Sequence, residues 1–132
     1  MEELKLRVKL ADKKPEIIMV TEVKPKNSRY ILSEVELSLE NYHLITMNKD
    51  EDCGRGIAVY VRKGLRFAEV EIKSEFHESL WISIRLKNND EMLAGCIYRS
   101  PNSTMENNKN LRELLRDVSN KKYSHLLTMV LY

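Results

Sequence analysis

The stretch Leu80–Ser103 restricts the possible folds more than any other part of the chain. Leu80, Ile82, Ile84 and Leu86 alternate with Trp81, Ser83, Arg85 and Lys87, the two-residue period of a strand. Asn88-Asn89-Asp90 is a tight turn, and the apolar run Glu91–Tyr98 returns from it, completing a hairpin. Pro101 then stops the strand, because its ring forbids continuation into a ladder or a helix. The stop leaves the phenol of Tyr98 and the guanidinium of Arg99 at a strand end. Open α/β sheets keep their ligands in loops at the carboxyl ends of strands, and an Arg fork beside a Tyr hydroxyl suits a phosphate. The same pair also reads as a packed tyrosine next to an arginine in a surface pair.

Upstream, residues 1–14 carry two periods at once. Leu4, Leu6, Val8 and Leu10 alternate as in a strand, while Met1, Leu4, Val8 and Ala11 trace a helical stripe. Helix-forming Glu, Leu, Lys and Arg, with Lys13-Lys14-Pro15 at the end, tip the segment to helix. Glu16–Thr21 is a continuous apolar run of the kind buried on both faces of a sheet. It ends at Glu22, ahead of the polar, Pro-broken loop Val23–Arg29. Leu32–Leu39 is mixed in character. Tyr42–Met47 predicts a short strand, Asn48–Gly56 a turn, and Ile57–Val61 and Phe67–Ile72 two further strands. With Leu80–Leu86, these last two suggest an antiparallel meander.

Beyond Pro101, Ser103-x-x-Glu106 has the form of a capping box. Leu111, Leu114, Leu115 and Val118 form the apolar stripe of a helix that Asn120-Lys121-Lys122 ends. His125–Leu131 predicts a last strand of the buried type. The order of elements implies one layered α/β (α+β) domain with a mixed, largely antiparallel sheet.

Composition narrows the function classes. The 132 residues are 42% hydrophobic and 32% charged, an ordinary globular balance for one domain. With 22 basic and 20 acidic residues the net charge is +2, so charge alone singles out no nucleic-acid partner. Cys53 and Cys96 have neither disulfide-framework nor zinc-site spacing, which fits a reducing, intracellular compartment in the nucleus or cytoplasm. The longest apolar runs fall far short of the ~20 residues that span a bilayer, and no signal-peptide pattern precedes them, so no membrane partner is expected. His43, His77 and His125 share no metal-ligand spacing. Trp81 reads as a buried aromatic or as a platform for a base. Asn102-Ser103-Thr104 matches a glycosylation acceptor, but nothing else indicates secretion. Lys24, Lys26 and Arg29 suit either a solvated loop or contact with a nucleic-acid backbone.

Four stretches together resemble a known family: Pro15–Glu22, Gly54–Val61, Glu78–Ile82 and Gly95–Ser103. In order and spacing they are similar to the endonuclease/exonuclease/phosphatase (DNase I-like) superfamily. The nearest likeness is to the endonuclease domain of non-LTR, LINE-like retrotransposon endonuclease-reverse transcriptases. The resemblance implies a Mg²⁺-dependent phosphodiesterase fold, a four-layer α/β sandwich of two mixed sheets flanked by helices, acting on DNA. It assigns Glu22 to the metal and Tyr98 and Arg99 to the scissile phosphate, with Asn102, Lys24 and Lys26 as further phosphate or nucleic-acid contacts. Mg²⁺ takes hard oxygen ligands such as carboxylates and phosphates, and Tyr and Arg donors stabilise a phosphoryl group in flight.

The chain also departs from that family. Residues 1–132 are expected to be a single partial domain, lacking the family's first strand with its active-site Asn and the C-terminal half with its Asp-His pair. Where a strand ending Gly-Asp-Phe-Asn is expected, the chain reads Val130-Leu131-Tyr132. His125 stands at the wrong end of that strand to substitute. Two functions follow as alternatives: a retroelement nuclease domain, or a non-catalytic remnant or small interaction protein on half of the fold, self-associating through an uncovered apolar face.

Overall fold

The computed structural model describes residues 2–10, 12–21, 37–47 and 56–131. The fold class is α+β: among the described residues there are two α-helices and two sheets, one of three strands and one of four. The chain divides into two compact units, Met1–Leu65 and Arg66–Tyr132.

The first unit opens with helix α1 (Glu2–Leu10). Of the two competing periods at this end, the helical one is realised. Leu4 and Val8 pack against the unit's core, whereas Leu6 and Leu10 are exposed. Arg7 and Glu3 pair at 2.8 Å on the solvent side, a spacing worth a few tenths of a kcal/mol. The Lys14 ammonium donates to the carbonyls of Val8 and Lys9, satisfying acceptors that the helix end leaves over.

Three antiparallel strands follow, β1 (Ile17–Thr21), β2 (Tyr42–Met47) and β3 (Ile57–Arg62), in the order β1-β3-β2. Central β3 is buried from Ile57 to Val61, as its β-branched run requires. Leu37, Leu39, Tyr42, Ala58 and Tyr60 form the core on which α1 rests. The buried Tyr60 hydroxyl donates to the Leu37 carbonyl at 2.6 Å. β1 departs from expectation. Its residues are half-buried throughout, because it pairs with β3 alone and lies at an edge of the described sheet.

The second unit orders its strands β4 (Phe67–Val70), β5 (Ser79–Arg85), β6 (Glu91–Tyr98) and β7 (His125–Leu131) in sequence, with helix α2 (Met105–Ser119) between β6 and β7. The expected meander is therefore displaced by one strand. It consists of β4, β5 and β6, while β3 belongs to the other sheet. The β5–β6 turn places Asn88 and Asn89 at φ 65° and 64°, the left-handed region that Asn tolerates better than most residues. β6 and β7 run parallel, joined by α2 as a crossover helix.

Leu111, Leu114 and Val118 of α2 pack with Phe76, Trp81, Leu93 and Ile97, so Trp81 is a core residue. The cap lies one residue later than the capping box suggested. Thr104, at φ −74° and ψ 164°, is the N-cap and accepts from the Asn107 amide at 3.0 Å. Asn107 turns its side-chain amide back to the Ser103 hydroxyl, 2.8 Å away. β7 also departs from expectation: Leu126, Leu127 and Met129 are 44%, 38% and 44% exposed. Among the described residues its strand partner is β6 alone, so an apolar sequence of buried type lies at an edge of the described sheet.

Candidate functional site

Parallel pairing carries the carboxyl ends of β6 and β7 to the same edge, with Tyr98 opposite Leu131. The Arg99 amide extends the ladder by one bond, donating to the Leu131 carbonyl at 2.9 Å. On the other side of β6, the Tyr98 amide donates to the Glu78 carbonyl at 2.9 Å. The backbone of both residues is thus held from two sides before the chain turns at Pro101. The turn closes on itself, Ser103 N to Ser100 O at 3.1 Å and Asn102 N to Ser100 Oγ at 3.3 Å. It delivers the chain directly into the amino end of α2.

Tyr98 is buried, at 7% exposure, and Arg99 is half-buried. The tyrosine of the pair is thus packed, and the arginine makes a side-chain hydrogen bond. Arg99 Nε donates to Asn108 Oδ1 at 3.0 Å. Asn108 sits at the start of α2, its own amide bonded to the Thr104 carbonyl at 2.9 Å. The guanidinium is therefore directed along the helix's amino end, where unsatisfied N–H groups and the helix dipole already favour an anion. Asn102 is exposed on the same turn.

The structure thus groups three of the expected residues, Tyr98, Arg99 and Asn102, at one strand-to-helix corner. Glu22, Lys24 and Lys26 lie outside the described residues. His125 pairs with Met92 at the opposite end of the β6–β7 ladder from Tyr98. Asn108 was not anticipated. Its signal was the pair Asn107-Asn108 just after a cap residue, where poor helix formers are retained only for their side-chain bonds. Among the described residues no group of three or more His, Cys, Asp or Glu converges to hold a metal ion. The corner's own donors fit a phosphate rather than a cation. No helix among them is long and apolar enough to cross a membrane. No family model matches the chain, and no curated protein matches it.

Proposed function

We propose that the chain is a phosphodiester-binding domain of the endonuclease/exonuclease/phosphatase type, related to retrotransposon endonucleases, with DNA as its partner. One observation carries this reading: the Arg99 guanidinium, beside Tyr98, is tied by Asn108 to the amino end of α2 at the carboxyl edge of a parallel strand pair. Carboxyl ends of parallel strands and helix amino termini are where such folds receive phosphates. Glu22 is the proposed Mg²⁺ carboxylate, and Lys24, Lys26 and Asn102 are the proposed backbone contacts. A metal carboxylate and a phosphate clamp do not by themselves activate water. The proposed activity of the 132-residue chain is therefore binding without cleavage, in the reducing interior of the cell.

The test combines fluorescence anisotropy on a short DNA duplex with nicking of supercoiled plasmid in Mg²⁺. Salt-dependent binding that Arg99→Ala weakens, without nicking, is expected. Nicking that Glu22→Ala abolishes would restore the full nuclease reading. Absence of DNA binding at low salt would leave the second reading, an interaction protein, which the exposed Leu126, Leu127 and Met129 favour because such apolar rows pair with other chains.

A further inference from the structure

Arg99 reaches the strand-to-helix corner with its backbone already fixed, its amide bonded to the Leu131 carbonyl at 2.9 Å. Its side chain is a long, flexible stem ending in a planar guanidinium, and ordering such a stem carries one of the largest side-chain entropy costs. Asn108 acts at the end of that stem. Its Oδ1 accepts from Nε, the guanidinium nitrogen nearest the backbone, at 3.0 Å. Nε–H can only donate, so the oxygen of the Asn108 amide must be the atom that faces it. Because the guanidinium is planar, a bond at Nε restricts the direction of the whole group.

Asn108 is a short side chain on a rigid support. It stands in the first turn of α2, its own amide bonded to the Thr104 carbonyl at 2.9 Å, and both it and Arg99 are half-buried. Helix propensity does not account for an Asn there, since Ala is the better helix former. Capping does not account for it either, because Thr104 is the cap and Asn107 turns to Ser103. The Asn108 side chain is spent on Arg99. Lysine could not take the place of Arg99 in this bond, because it has a methylene where arginine has Nε–H. The contact therefore asks for arginine at residue 99 rather than for any cation.

We propose that Asn108 is a positioning residue, which orders the Arg99 guanidinium in advance for a DNA phosphate and so lowers the entropy lost on binding. The inference rests on the phosphate-binding reading of the corner. The test measures affinity for a short DNA duplex by fluorescence anisotropy, on the full 132-residue chain and on Asn108→Ala, Arg99→Lys and the two combined. Asn108→Ala should weaken binding about three- to tenfold, the net worth of one hydrogen bond. The slope of log affinity against log salt should not change, because the charge stays. The urea midpoint should be no lower than native, Ala being the better helix former. Arg99→Lys should weaken binding to a similar degree, and adding Asn108→Ala to it should cost nothing more, since the bond is already gone. The Arg99 Nε–Hε resonance, identified by its loss in Arg99→Lys, gives a readout that helix stability does not move, and Asn108→Ala should shift it toward the position of free arginine. The proposal is overturned if Asn108→Ala binds as the native chain does, or if that resonance stays in place. It is overturned equally if Asn108→Ala weakens binding as much in the Arg99→Lys background as in the native one, the mark of a purely structural role. A native chain that binds no duplex would overturn the phosphate reading and this inference with it, whereas native binding that Asn108→Ala leaves intact overturns the inference alone.

Discussion

Gly95 faces Trp81 across the β5–β6 ladder, and a Cβ at that position would lie only 2.2–2.5 Å from carbons of the indole. Both residues are locked between strands, and the indole is packed under α2, so it has little freedom to retreat. Gly95→Ala is expected to cost about 1–3 kcal/mol, the range for overpacking a filled core, read as a lowered urea midpoint. An unchanged midpoint would mean that the indole yields. At the corner, Arg99→Ala removes both the charge and the Asn108 bond. Duplex binding should weaken at every sequence tested, and the slope of log affinity against log salt should shrink by about one, as for loss of a single phosphate contact. A slope that stays constant would place the DNA elsewhere on the protein. Glu22 is the one carboxylate proposed for the metal, and with a single carboxylate Mg²⁺ would keep most of its water shell. Calorimetry is expected to show binding weaker than micromolar, and a micromolar site abolished by Glu22→Gln would contradict this.

α2 is an amphipathic crossover whose buried stripe, Leu111, Leu114 and Val118, holds it to the sheet. Its amino end depends on one hydroxyl. Thr104→Ala should cost about 1 kcal/mol, whereas Ser103→Ala, which touches only the Asn107 side chain, should cost less. The order reverses if the cap is Ser103, so paired thermal melts discriminate the two. β7 poses a different problem. Leu127 and Met129 share the sheet face that carries Ala94 and Cys96, yet both are substantially exposed. Apolar, uncharged edge strands recruit other chains. The native protein is expected to sediment as concentration-dependent oligomers, and Leu127→Lys/Met129→Lys to shift it toward monomer. A native chain that sediments as a monomer at all concentrations would rule this out.

Among the described residues, burial raises the pKa of a group in each unit. Burial pushes the Tyr60 phenol in the first unit up from 10.0 to about 12, and the Cys96 thiol in the second up from 9.0 to about 11. Both are neutral when protonated, so the unfolded chain loses its proton first as pH rises. Between the ordinary and the raised value the unfolded state binds fewer protons, and stability falls with pH. Decline should therefore begin near pH 9 through Cys96 and continue to about pH 12 through Tyr60. Comparing urea midpoints across this range, Cys96→Ala should remove the part between about pH 9 and 11 and Tyr60→Phe the part between about pH 10 and 12. Identical pH profiles for native protein and variants would show that neither proton is linked to folding.

The bounds of β2 and β6, the hairpin turn at Asn88-Asn89 and the apolar stripe of α2 were legible in the chain itself. Each is set by local means: side-chain alternation, turn residues that accept positive φ, or spacing along a helix. The same holds for Tyr98 and Arg99 at a strand end, because Pro101 dictates where that strand must stop. Pairing was not legible, because which strand lies beside which depends on contacts far apart in sequence. Hence β3 joins β1 and β2 rather than β4, and the apolar runs of β1 and β7, which read as buried, lie at sheet edges with their residues half-buried or exposed. The choice of Thr104 over Ser103 as cap, and of Asn108 as the partner of Arg99, was likewise decided by tertiary structure. Several neighbouring hydroxyls and amides could have served, and only the path of the chain from β6 into α2 selects among them.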